Sequence, residues 1–430
     1  MPVGNNFQHA MYARSDPGER AAYLEFDPGP LLDSPTWQES MGKLGAHLAH
    51  SGVRAVWFLH GTYLGTDLFG IQRLDAGAQK RGYSLGIPGM ETLLTLLREE
   101  SNGLPRFPDT LTPPFPDDEG VKGLLDQAVG DAGNFTAAYV DRFKTAANRS
   151  LGGAQPIRCV RTLWTSEHHH LGRMLAACYW LIRVRTFSRE QQLGPKDRIV
   201  VLAQGQAGLL PALASNLLSP DSAFNLEMIF EVLKGYVAQE PGPPGTRPTP
   251  QELDRLGEGL ASEQYLNGII LDVVTFGTPV RYGWDPATLG RLLHIVNHRP
   301  IRADGKRWLS KLELPGLTVE LPYVMGGDYV QQLAVAGSDA APASPAAHDA
   351  NRSLWELLEL YDGFERWLEC ARKSVRCAND GRCLLVDYKD GRTDPGKALD
   401  HVFGHAIYTR LNAMLFNIRI IVETLYGRTQ

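Results

Sequence analysis

The chain has 430 residues, 43% of them hydrophobic, enough to bury one large core or two ordinary ones. Its 43 Lys and Arg against 48 Asp and Glu leave a net charge of -5, so no basic field is available to attract a phosphate backbone and a nucleic-acid partner is disfavoured. No stretch reaches the roughly 18 uncharged apolar residues of a membrane helix, and residues 1–19 lack a basic start followed by an apolar run, so no membrane span and a cytoplasmic location are expected.

Along the chain, residues 1–52 read as an N-terminal extension with the first strands, and 53–430 as one domain with cap-like insertions near 99–150, 238–251 and 285–314. Short apolar, β-branched runs at 55–59 (AVWFL), 198–203 (RIVVLA), 269–276 (IILDVVTF) and 384–387 have the character of buried parallel strands. Between them, 171–187, 209–218 and 406–420 carry apolar residues at helical spacing. The stretches 99–116, with five prolines, 238–251 and 337–350 have no such periodicity and read as breaks. This alternation predicts an α/β fold, a central, mostly parallel sheet with helices on both faces. The cysteine count is odd, and Cys370, Cys377 and Cys383 are too far apart for a Cys-x-x-Cys pair, so reduced thiols decorating a hairpin are expected.

In such sheets function gathers in the loops that leave the carboxyl ends of the strands. After AVWFL comes His60-Gly61-Thr62-Tyr63, where a glycine turn would direct the N–H of Thr62 or Tyr63 at a developing oxyanion; a plain turn accounts for His-Gly about as often. After RIVVLA comes Gln204-Gly205-Gln206-Ala207-Gly208 and then a helical pattern, the strand, sharp turn and helix of a nucleophile elbow. Against the elbow pattern G-x-S-x-G, Ala203 and Ala207 take the small positions and Gly205 takes the serine's place. Gln206 N–H is a second candidate oxyanion donor. The third loop, Gly277-Thr278-Pro279, is a Gly–Pro turn whose value lies in its order.

A triad in this arrangement runs nucleophile, acid, histidine along the chain. Asp328, after the strand-like stretch 317–324, is the predicted acid, and His405, opening a helical pattern, the predicted histidine. Asp339, Asp387 and Asp390 compete for the first role and His401 for the second. The segments HGTYLGTD (60–67), FGTPVRYGW (276–284) and GHAIYTR (404–410) resemble those of α/β-hydrolases of the lipase/esterase kind, in particular a bacterial family of undefined substrate. The resemblance covers about residues 53–420 and implies an α/β-hydrolase fold. It also implies Gly-His-Ser-His-Ala-Gly at the elbow, where this chain has AQGQAG.

The resulting expectation is a degenerate serine esterase with Gly205 at the nucleophile position, taking a small acyl or ester-like ligand and needing no cofactor. The alternative is a binding or scaffold protein that keeps the pocket. Histidines form two further constellations. His168, His169 and His170 after Glu167 suggest a metal-dependent hydrolase, although consecutive helical residues diverge. His294 and His298 stand at i and i+4, which a helix would bring to one polar face. Ser166 reads as the N-cap of a helix starting near Glu167 rather than as a displaced nucleophile.

Overall fold

A computed structural model of the protein describes residues 12–13, 21–61, 119–298, 327–331, 344–358, 377–389 and 404–427, except 165, 168, 220–224, 242–246, 263–264, 329 and 379. A two-residue ladder pairs Tyr12–Ala13 (β1) with Cys377–Ala378 (β8). The main sheet contains Ala21–Glu25 (β2), Val53–Leu59 (β3), Arg158–Thr162 (β4), Arg198–Gln204 (β5), Ile270–Phe276 (β6), Arg291–Asn297 (β7) and Arg382–Asp387 (β9). Its order is β2-β9-β7-β6-β5-β3-β4 and every pairing is parallel. Cys383 lies buried inside β9, and Cys377 is in β8, which pairs with β1, so these two are not joined in the expected hairpin; Cys370 lies outside the described residues.

Alternation along the strands divides the core into two layers. Trp57, Leu59, Val201, Ala203 and Val273 face one side. That side is covered by His170–Glu190 (α4), Leu209–Leu217 (α5), Leu226–Gln239 (α6), Pro250–Ala261 (α7) and Pro345–Leu357 (α8). Val56, Phe58, Leu202, Val274, Phe276 and Ile295 face the other side, under Pro35–His50 (α1), Ala137–Ala147 (α3) and Met414–Tyr426 (α9). With helices on both faces, the central strands have no polar face to show, which is why β3, β5 and β6 read as nearly unbroken apolar runs.

Within 99–150, read as a cap, α3 belongs to the core: Phe135, Tyr139 and Phe143 pack edge-on around Phe58. Ahead of it, Glu119–Val129 (α2) supplies Asp126, which accepts from the buried Arg161 of β4 at 3.0 Å. At the amino end of the sheet, buried Asp272 accepts from Arg198 at 2.8 Å and from Tyr426 of α9, tying the last helix to β5 and β6.

Residues 291–297 lie in the stretch 285–314 and form a central strand, so the helical reading of His294 and His298 is corrected. A run of five residues, LLHIV, is too short for its period to separate helix from buried strand. His294 is 5% exposed: Nε2–H donates to the Asp380 carbonyl at 3.2 Å and Nδ1 pairs with Thr275 Oγ1 at 2.7 Å. Burial pushes its pKa down from 6.5 to about 4. Because the folded value is depressed, the unfolded chain takes the proton first as pH falls. The stabilising contribution is therefore full above about pH 6.5 and is lost toward pH 4, about 3 kcal/mol in all. Urea titrations across that window should show His294→Gln losing about 3 kcal/mol less than the parent; identical pH slopes would contradict this assignment.

Candidate active site

The loops after β3, β5, β6 and β7 meet at one end of the sheet. β5 runs into a single 3₁₀ turn, Gly205–Gly208, and then α5. Gly205 sits at φ +56, a left-handed conformation that a residue without Cβ reaches freely. Its carbonyl accepts from Thr278 Oγ1 at 2.7 Å, so the turn after β6 braces the turn after β5.

Above Gly205 lies a buried polar hub. His405 Nδ1 is 2.7 Å from Asp328 Oδ2, and the same oxygen accepts from Tyr408 OH at 2.8 Å. Asp328 Oδ1 accepts from Gln331 N–H at 2.8 Å. Asn297, the last residue of β7, organises both loops. Its carbonyl accepts from Asp328 N–H at 3.0 Å, its N–H donates to Tyr408 OH at 2.7 Å, and its Nδ2 donates to the Gly404 carbonyl at 2.9 Å. Burial, reinforced by the Asp328 charge, raises the Tyr408 phenol well above its ordinary value, which keeps it a donor. A carboxylate can only accept, so Nδ1 carries a proton, and in the neutral ring the lone pair is on Nε2.

The loop expected to bind an oxyanion is held tightly. His60 Nε2 accepts from Trp164 N–H at 3.0 Å, and the His60 carbonyl accepts from Trp164 Nε1 at 2.8 Å. His60 thus fastens the β3 loop to the β4 loop. Gly61 N–H donates to Gln204 Oε1 at 3.1 Å, while Gln204 Nε2 donates to the His405 carbonyl at 3.4 Å. A Cβ on Gly61 would stand 2.3 Å from the Gln204 carbonyl oxygen, so only glycine permits this approach. Thr62 and Tyr63 lie outside the described residues.

Beside the elbow, Gln206 Oε1 accepts from Arg173 Nη2 at 3.1 Å and its Nε2 donates to the Ser166 carbonyl at 3.3 Å. Ser166 is not a helix cap. The N-cap of α4 is His169, whose Nδ1 accepts from Gly172 N–H at 2.9 Å. The helix starts at His170, and the imidazole at 169 takes the capping role expected of the serine. Ser166 has φ +53, is fully buried, and its hydroxyl has no hydrogen-bond partner among the described residues. His170 Nδ1 meets Tyr282 OH at 2.8 Å, so His169 and His170 serve different neighbours, and no group of three metal-ligating side chains occurs among the described residues. His168 lies outside them.

Of the competing acids, Asp387 ends β9 and accepts from Lys389 N–H at 3.0 Å; Asp339, Asp390 and the rival His401 lie outside the described residues, as does the stretch 317–324. The helical pattern 406–420 begins as two 3₁₀ turns, Ile407–Thr409 and Leu411–Ala413, before α9. Asn297 and Tyr408 were not singled out from the sequence; the spacing of Tyr408, three residues after His405, is the one local signal for it. No helix among the described residues is long and apolar enough to cross a membrane. No protein-family model, no curated protein and no solved structure matches the chain.

Proposed function

We propose that the chain is an α/β-hydrolase-like protein of the lipase/esterase kind in which serine catalysis has been lost. The observation that carries this reading is Gly205, in a left-handed turn at the end of β5 beneath the His405–Asp328 pair. Nucleophile position, acid and histidine follow one another along the chain as in that fold, and the elbow itself offers the base no hydroxyl.

A second reading, a binding protein that keeps the pocket without chemistry, is favoured by Gln204. Its carboxamide engages the Gly61 N–H and reaches the His405 carbonyl, joining two loops across the elbow. The ligand that goes with either reading is a small acyl or ester-like compound.

Treatment of the purified chain with a fluorophosphonate probe tests the first reading. No stoichiometric serine adduct is expected by intact mass spectrometry. Labelling of any serine would overturn it, and labelling of Ser166 would move the reactive centre to the strained loop before α4.

A further inference from the structure

A Cβ placed on residue 205 would lie 2.7 Å from His405 Nε2, closer than real Cβ atoms approach a neighbour. The imidazole therefore stands in the volume that a nucleophile-bearing side chain at 205 would need. It is held there from behind. Nδ1–H donates to Asp328, Asp328 is fixed by Tyr408 OH and Gln331 N–H, and the ring packs edge-on against Tyr408 with centroids 5.9 Å apart. In the neutral ring Nε2 carries the lone pair, and none of the described residues hydrogen-bonds to it.

A serine hydroxyl needs a base before it can attack, whereas a neutral imidazole nitrogen is nucleophilic as it stands. The carboxylate behind Nδ1 would also stabilise the positive ring that forms when Nε2 is acylated, the same service it gives an imidazolium in a triad. Resting on the reading of the elbow as one without its serine, we propose that His405 is itself the nucleophile, attacking activated acyl groups through Nε2.

In the first step the Nε2 lone pair forms a bond to the acyl carbon, and the leaving group departs with the electron pair of its C–O or C–S bond. The product is an acyl-imidazolium whose Nδ1–H stays on Asp328. In the second step a water oxygen attacks the acyl carbon, the N–C pair returns to Nε2, and the water protons pass to the leaving-group anion and to solvent. The sum is ester or thioester plus water giving acid plus alcohol or thiol, with no other reactant. Nε2 is occupied during expulsion and holds no proton to give, so the leaving group must be stable as an anion. Phenolates and thiolates qualify and simple alkoxides do not, which narrows the substrate class to aryl esters and thioesters.

The test is acid-quenched intact mass spectrometry and peptide mapping of the full-length chain mixed with p-nitrophenyl acetate and, separately, with an acetyl thioester. A single acetyl on His405, removed by hydroxylamine, should accompany a stoichiometric burst of p-nitrophenolate. His405→Gln should abolish that burst, because the atom that is acylated is gone. The mapping on the parent chain does not depend on any variant folding. An unacetylated His405 throughout the reaction, or an undiminished burst in folded His405→Gln, overturns the proposal. Absence of both an acetyl-histidine and a fluorophosphonate adduct removes this inference while leaving the reading of a serine-free elbow in place; a serine adduct removes that reading itself.

Discussion

Gly205→Ser is expected to become labelled by a fluorophosphonate at residue 205, where the parent chain has no hydroxyl, at a cost of about 1–3 kcal/mol in stability. The cost follows from φ +56, which a serine must hold against its own Cβ. The gain follows from where that Cβ would be, 2.7 Å from His405 Nε2. The ring has to retreat by a fraction of an ångström before serine Oγ and Nε2 sit at hydrogen-bond distance, and its anchor on Asp328 limits how far it moves. Labelling should therefore be slower than in an evolved serine hydrolase and should vanish in Gly205→Ser/His405→Gln. A folded Gly205→Ser that stays unlabelled would show the site to be a binding pocket.

Asp328→Ala should lower stability by about 3–5 kcal/mol, the range for removing one partner from a buried charged network. Asp328 is fully buried and accepts from three donors supplied by two loops, so its loss strands the imidazole N–H, the Tyr408 hydroxyl and the Gln331 N–H together. Asp328→Asn, which keeps the shape and one acceptor oxygen, should cost less than the alanine variant. Urea denaturation of both variants measures this. A loss under about 1 kcal/mol for Asp328→Ala would mean that Asn297 alone holds the two loops.

These effects explain what the sequence could and could not reveal. The runs that became β3, β5, β6 and β9 were legible because strands covered on both faces admit only apolar side chains. β2 and β4 were not, because edge strands need be apolar on fewer sides. AAYLE and RCVRT each carry charge, and Arg161 is acceptable in β4 only because Asp126 waits on α2. β7 was hidden by the i, i+4 histidines, whose spacing suits a helix and also an alternating strand.

At the site, the Gly205, Asp328 and His405 loops could be picked out by chain order and glycine placement. The carboxamide of Gln204, the backbone bonds of Asn297 and the phenol of Tyr408 could not. Each acts on residues from about 80 to 200 positions away in sequence, and no local pattern records such contacts.

The position of β5 in the sheet has a dynamic consequence. Beyond its immediate neighbours it has three strands on one side and one on the other, and helices cover both its faces. Its amides should be among the slowest to exchange with deuterated solvent, opening only when the whole domain unfolds. Gly205 is the first residue beyond that slow segment. A compound held against the Gly205 turn and the His405 ring would thus be reported as a rise in the melting temperature of the entire domain, with little change in exchange confined to one loop, which makes thermal shift a suitable first screen for what the site accepts.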